Sequence, residues 1–201
     1  MSELPARRSA LSTVYRPGRH GHPDGEPGIR VRERRNLEIV QVAAYPDTAA
    51  TVSEVIAGEV GVVPATESSR AVAEGEVAVL WMGPQRWWVV LPEGQDLGVL
   101  LARRLGDEAA LTLQGHGRVA LRIAGSGVRE LLSSGSTVDF HPSRFAAGWC
   151  RPTQLAGMGV TLHCVDDTPI VDLYVPRSYA VSFWEWLMEA GIGHGLVVEE
   201  A

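Results

Sequence analysis

Residues 76–91 read EVAVLWMGPQRWWVVL, and this stretch decides the fold. Two apolar runs, Glu76–Trp81 and Gln85–Leu91, flank Gly83-Pro84, which is the composition of two antiparallel strands joined by a tight turn. Trp81, Trp87 and Trp88 suit a pleated, half-buried surface. Neighbouring residues on a strand point to opposite faces, so Trp87 and Trp88 serve different layers. One enters a core; the other meets a second surface, either another layer of this chain or another subunit.

Working outward, Leu37–Tyr45 (LEIVQVAAY) reads as a strand. Asp47 or Thr48 caps a helix through TAATVSEVIAG that Gly58 closes. After the hairpin, Asp96 caps a helix DLGVLLARRLG ending at Gly106, and AALTL (109–113) is a strand. The order is β-α-β-β-α-β. A second pass begins with RVALRI (118–123), followed by a helix capped at Ser126 and stopped by Gly135. Strands at Trp149–Leu155, Val160–Val165 and Ile170–Val175 then lead to a helix capped by Ser178, with Tyr179, Phe183, Trp186, Leu187 and Ala190 on one face. The predicted fold is therefore α+β, two successive βαββαβ (ferredoxin-like) lobes at about 36–115 and 116–191 in one domain spanning 31–191. Residues 192–201 are read as a tail. Residues 1–30 are rich in Pro, Gly, Arg and His without periodicity, and are read as a flexible arm, disordered or ordering against a partner subunit through its arginines.

The chain has 201 residues and a net charge of −6, but residues 1–35 carry eight Arg against four acids. The acidic remainder argues against nucleic acid as the partner. All 18 basic residues are Arg, so Schiff-base or general-base lysine chemistry is excluded. No apolar run approaches a membrane span, and the N-terminal residues lack the apolar core of a secretory signal, so a cytoplasmic protein away from membranes is expected.

Motifs for chemistry are sparse. Gly125-Ser126-Gly127 opens a helix after a strand, the setting of a dinucleotide loop, but lacks the third glycine and reads as a tight turn with a cap. Cys150 and Cys164 have no paired ligand spacing, and His163 beside Cys164 faces the other side of its strand. His20 and His22 lack further ligands nearby, and Asp166-Asp167 is read as a charged turn. Asp139-Phe140-His141-Pro142-Ser143-Arg144-Phe145 sets an acid, a His and an Arg among aromatics in a loop. It is read as a loop pinned by Asp–His or Asp–Arg hydrogen bonds while both Phe dock, with general acid–base work as the alternative. Arg177 either pairs locally or reaches a partner.

From about residue 115 to 191 the chain resembles the gamma subunit family of heterotetrameric sarcosine oxidase. Arg122-Ile123-Ala124-Gly125, Leu131-Leu132-Ser133-Ser134-Gly135, Asp139-Phe140-His141-Pro142, Phe145-Ala146-Ala147-Gly148 and Val175-Pro176-Arg177-Ser178 occur in that family's order. One departure is Gly115 before His116, where relatives usually have Ser. The resemblance extends to the wider group of aminomethyltransferase T-protein and TrmE-like folate-binding domains. It implies a non-catalytic subunit with no cofactor of its own, in a complex that demethylates sarcosine oxidatively to glycine. It places FAD, FMN and NAD in the alpha and beta subunits, zinc in delta and tetrahydrofolate in alpha, which gamma contacts most directly. The same resemblance leaves open a related N-methyl amino acid dehydrogenase complex, or an independent folate-dependent aminomethyltransferase-like enzyme. For an interface subunit, exposed aromatics and arginines are the candidate surface: Trp87, Trp88 and Trp184, with core packing as the alternative, and His116, Asp139, His141, Arg144 and Arg177 in loops.

Overall fold

Strand structure starts earlier than the sequence reading placed it. The computed structural model describes residues 8–21 and 25–201; His22 lies outside them. Gly18–His20 forms β1 and Ile29–Arg34 forms β2. In β2 the sequence IRVRER alternates strictly, burying Ile29, Val31 and Glu33 while Arg30 and Arg32 face solvent. Upstream, Leu11 is fully buried and Tyr15 nearly so. Tyr15 stacks on Trp184 with ring centroids 4.9 Å apart. Its hydroxyl accepts the Glu33 N–H at 3.0 Å and donates to the Glu199 carbonyl at 2.7 Å. The described part of the expected flexible arm is thus packed into its own chain, because Leu11, Tyr15, Ile29 and Val31 have enough apolar surface to dock.

The first lobe follows as β3 (Leu37–Ala44), α1 (Ala49–Val60), β4 (Ala71–Glu74), β5 (Val77–Gly83), β6 (Arg86–Pro92), α2 (Leu97–Leu105) and β7 (Ala109–Leu113). Its sheet has the order β4-β5-β6-β3-β7, the ferredoxin-like arrangement plus the edge strand β4. The second lobe continues with β8 (Arg118–Ala124), α3 (Val128–Gly135), β9 (Cys150–Leu155), β10 (Met158–Asp166), β11 (Ile170–Pro176), α4 (Ala180–Gly191) and β12 (Leu196–Val198). Its sheet runs β1-β12-β2-β8-β11-β10-β9.

Two boundaries change as a result. The expected tail supplies β12, which pairs with β1 and runs parallel to β2. The second lobe is not one continuous stretch: β2 pairs with β8, and the first lobe is inserted between these neighbours. The chain leaves one sheet and enters the other within Arg35-Asn36, where Asn36 takes a φ of 55°.

Helix ends also differ from the simple capping pattern. The Thr48 hydroxyl donates to the Tyr45 and Glu108 carbonyls, and α1 stops at left-handed Gly61, not Gly58. Asp96, Ser126 and Ser178 cap nothing with their side chains. At α2 the Gly98 N–H donates instead to Glu38 Oε1 at 2.9 Å, so a strand carboxylate takes the capping role. Gly125 and Gly127 serve close packing: a Cβ at Gly125 would lie 2.3 Å from the Gly28 carbonyl oxygen, and the Gly127 N–H donates to that oxygen at 2.9 Å.

Burial resolves into three cores. Helices α1 and α2 cover one face of the first sheet through Val52, Ile56, Leu97 and Leu101 against Val40, Val42, Trp87 and Val89. Helices α3 and α4 cover the outer face of the second with Leu131, Leu132, Phe183 and Leu187. The inner faces meet through Leu37, Ile39, Leu80, Trp88 and Val90 against Ala120, Cys150 and Tyr174, giving helix–sheet–sheet–helix layers.

Leu11→Ala is expected to lower the unfolding free energy by about 2–4 kcal/mol, as for a buried leucine. Urea denaturation checks this; a loss within about 0.5 kcal/mol would instead mark the segment as an undocked arm.

Candidate functional site

The second sheet brings charge, not only apolar residues, to the inter-sheet seam. Strand register aligns Arg32, Arg122, Asp172 and His163 in one row across β2, β8, β11 and β10. Arg122 clasps Asp172 in a two-point fork, Nε to Oδ1 at 2.7 Å and the terminal nitrogen to Oδ2 at 2.8 Å. Arg34, one pleat along β2, reaches Oδ2 at 2.6 Å. One buried carboxylate is therefore held by two guanidinium groups from different strands. Its hydrogen bond to Asp172 raises the Arg122 pKa.

Beside this clasp sits His163, buried, with its Nδ1 lacking a hydrogen-bond partner. Burial lowers its pKa to about 4, with Asp172 pulling up and Arg122 and Arg34 pushing down. It is therefore neutral at physiological pH. Tyr174 on the same face is fully buried, and that burial drives its hydroxyl pKa upward. Burial also pushes the Cys150 and Cys164 thiols up to about 12 and about 11, so both stay protonated and unreactive near neutrality.

Where the chain crosses between sheets, a small cavity of about 50 Å³ opens, lined by Arg8, Ser9, Glu33, Arg34, Arg35, Asn36, Arg118, Val119, Ala120 and Arg177. Glu33 is engaged there: Ser9 Oγ donates to one carboxylate oxygen and Arg35 Nε to the other at 2.8 Å. Arg118 lies over the Trp88 ring, 5.0 Å from its centroid. The Arg177 terminal nitrogen donates to the Arg8 carbonyl at 2.9 Å. A neighbouring cleft is lined by Glu38, Glu93, Asp96 and the exposed His116. The turn carrying His116 (Gly115–Gly117) packs on the turn carrying Arg177 (Arg177–Tyr179), so these two residues share one edge of the seam.

The tryptophans are placed otherwise than an interface requires. Trp87, Trp88 and Trp184 are all buried. Trp87 faces α1 and α2 and donates to the Ala65 carbonyl at 3.0 Å. Trp88 faces the second sheet, edge-on to Tyr174 with centroids 6.0 Å apart, and donates to Gln41 Oε1 at 3.2 Å. The second surface beside the hairpin is another layer of this same chain. In the 139–145 loop, Asp139 accepts the His141 N–H at 2.9 Å, His141 Nδ1 lies 2.9 Å from Ser143 Oγ, and Phe140 and Phe145 are buried. Arg144 is exposed; it is Arg129 that ties the loop, donating to the Phe140 and Phe145 carbonyls at 2.8 Å each. Among the described residues, no group of three His, Cys, Asp or Glu is placed to hold a metal, and no helix is long and apolar enough to cross a membrane.

Sequence reasoning missed Arg34, Arg118, Arg122, Arg129 and Asp172. Each sits in a strand or helix pattern where a charged residue is expected to face solvent; the meeting of Arg34, Arg122 and Asp172 depends on strand register, and Arg129 reaches its loop from α3.

Residues 41–193 match the family described as sarcosine oxidase, gamma subunit family. Among curated proteins, a sarcosine oxidase subunit gamma of Corynebacterium sp. (strain P-1) is 31% identical over 115 residues, covering 56% of this chain and 56% of that protein. One of Arthrobacter sp. is 30% identical over 135 residues, covering 67% and 66%. These alignments thus span between about half and two thirds of the curated relatives' length. Among solved structures, a chain of the heterotetrameric sarcosine oxidase from Corynebacterium sp. U-96 superposes with a TM-score of 0.82 at 21% identity, over 94% of this chain and 96% of that one. The aminomethyltransferase T of the glycine cleavage system from Bartonella henselae superposes at 0.62 and 12% identity, over 88% of this chain and 48% of that one. At such identities the two superpositions establish a shared fold.

Because the folded pKa of His163 lies below its ordinary 6.5, the associated stability is complete above pH 6.5 and is lost as pH falls toward about 4. That loss amounts to about 3 kcal/mol. In denaturant titrations across this window, His163→Leu is expected to show a flatter pH dependence than the unmodified protein; equal slopes would refute the assignment.

Proposed function

This chain belongs to the sarcosine oxidase gamma subunit family, and on that premise we propose that it serves as the gamma subunit of a heterotetrameric sarcosine oxidase. The observation that carries the reading is the family match across residues 41–193, joined to a fold shared over 94% of this chain with a subunit of such a complex. The role is structural. The partners are alpha, beta and delta subunits, with alpha the direct neighbour. The assembly oxidises the N-methyl group of sarcosine, releasing glycine, hydrogen peroxide and the methyl carbon as formaldehyde or methylene-tetrahydrofolate. FAD, FMN, NAD, folate and zinc belong to the partners, and the complex works in the cytoplasm.

The chemistry of the chain supports a framework role. Its buried acid is clasped by arginines, its buried histidine is neutral, and its thiols are protonated. Each of these groups ties strands together or fills a core. The loop candidates His116, Asp139, His141, Arg144 and Arg177 are exposed and stand where a neighbouring subunit can reach them.

Affinity capture of the tagged chain from its native cells is expected to bring down three further subunits with a flavin absorbance spectrum and sarcosine-dependent peroxide release. Recovery of the chain alone and colourless would overturn the assignment. Activity with another N-methyl amino acid but not sarcosine would transfer it to a related dehydrogenase complex.

A further inference from the structure

The seam cavity concentrates positive charge that the described residues match only in part. Of its five arginines, Arg34 is committed to Asp172 and Arg35 to Glu33. The Glu33 carboxylate accepts one hydrogen bond at each oxygen, from Ser9 and from Arg35. Arg118 and Arg177 have no ion-pair partner among the described residues. The Nε of Arg118 is buried without a hydrogen-bond partner, while its guanidinium lies against the Trp88 ring. Desolvation lowers the Arg118 pKa with no opposing charge to offset it. A half-buried guanidinium with no counter-charge is a costly arrangement, and an oxyanion in the cavity beside it would supply that charge.

The size of the space selects the ligand. A water molecule needs about 10–15 Å³ of such volume, so this cavity admits a group the size of a few waters. That fits one carboxylate or phosphate group and excludes a nucleoside. Arg177 stands exposed at the rim, held in place through the Arg8 carbonyl.

We propose that this cavity is an oxyanion site that receives a single carboxylate or phosphate group, with the half-buried Arg118 as its anchor and Arg177 as its rim donor. The site stands on the geometry of this chain alone and does not require the subunit role proposed above. Trp88 beneath Arg118 is a built-in reporter of occupancy.

Inorganic phosphate and acetate titrated into the free full-length chain, against sodium chloride at matched ionic strength, are expected to change tryptophan emission saturably. Arg177→Gln, at an exposed position that leaves the core intact, is expected to weaken phosphate binding about tenfold or more, the scale of one charge-assisted hydrogen bond. Arg118→Gln is expected to abolish it, and Arg86→Gln on the first lobe to leave it unchanged. A response that never saturates, that chloride reproduces, or that Arg177→Gln leaves intact overturns the proposal. With saturable binding in the free chain established, the assembled complex identifies the source. Loss of the phosphate response on assembly assigns the site to an acidic group from a partner; its retention assigns a free oxyanion.

Discussion

The Asp172 carboxylate, held between Arg122 and Arg34, is the contact on which the two-lobed arrangement depends. It locks three neighbouring strands of one sheet, β2, β8 and β11, at the height where the chain crosses into the other sheet. A buried carboxylate is tolerated only when its lone pairs are filled, and here two arginines fill them. The clasp thereby fixes the position of Arg34, and with it the short Arg35-Asn36 crossing that sets one lobe against the other. His163, in the same row, stays neutral because the space around it is already dry and already charged.

Around this clasp the packing follows from alternation. Strands β2 and β8–β12 of the second sheet send apolar side chains into the core beneath α3 and α4, while the inner face mixes Ala120, Tyr174 and Cys150 with the charged row. The first sheet answers with Trp88, Leu80 and Val90, and the large Trp88 ring spans the gap to both Tyr174 and Arg118. The aromatic hairpin is therefore the mortar between layers. Its burial takes Trp87 and Trp88 out of the surface open to a partner.

Much of the first lobe was legible in the sequence because its signals are local. The runs 37–45, 76–81 and 85–91, and the helix ending at Gly106, lie within a few residues of the observed elements. The second lobe was legible from β8 to α4 and opaque at its ends. IRVRER carries only two apolar residues and reads as a charge run, and β12 has three residues after a glycine-rich stretch. Caps were misread at Asp96, where Glu38 took over, and at Ser126 and Ser178, where the helices start one residue or more later, behind Gly127 and Tyr179. The clasp was invisible for a different reason: Arg122 and Arg34 lie 50 and 138 residues from Asp172, and no local spacing announces such a meeting.

The insertion of the first lobe between adjacent strands imposes an order on biosynthesis. As the chain emerges from the ribosome, residues 8–34 precede the inserted lobe, yet their sheet partners β8 and β12 come only after it. The inserted lobe closes on its own strands meanwhile, at low cost in loop entropy. Strand β2 waits with both edges unpaired until β8 emerges, and keeps one edge open until residues 196–198 slot beside it. A nascent chain of this design carries an open strand edge from the making of β2 until β12 arrives. The arginines that alternate along β2 keep that waiting edge charged and apart from its neighbours on the polysome.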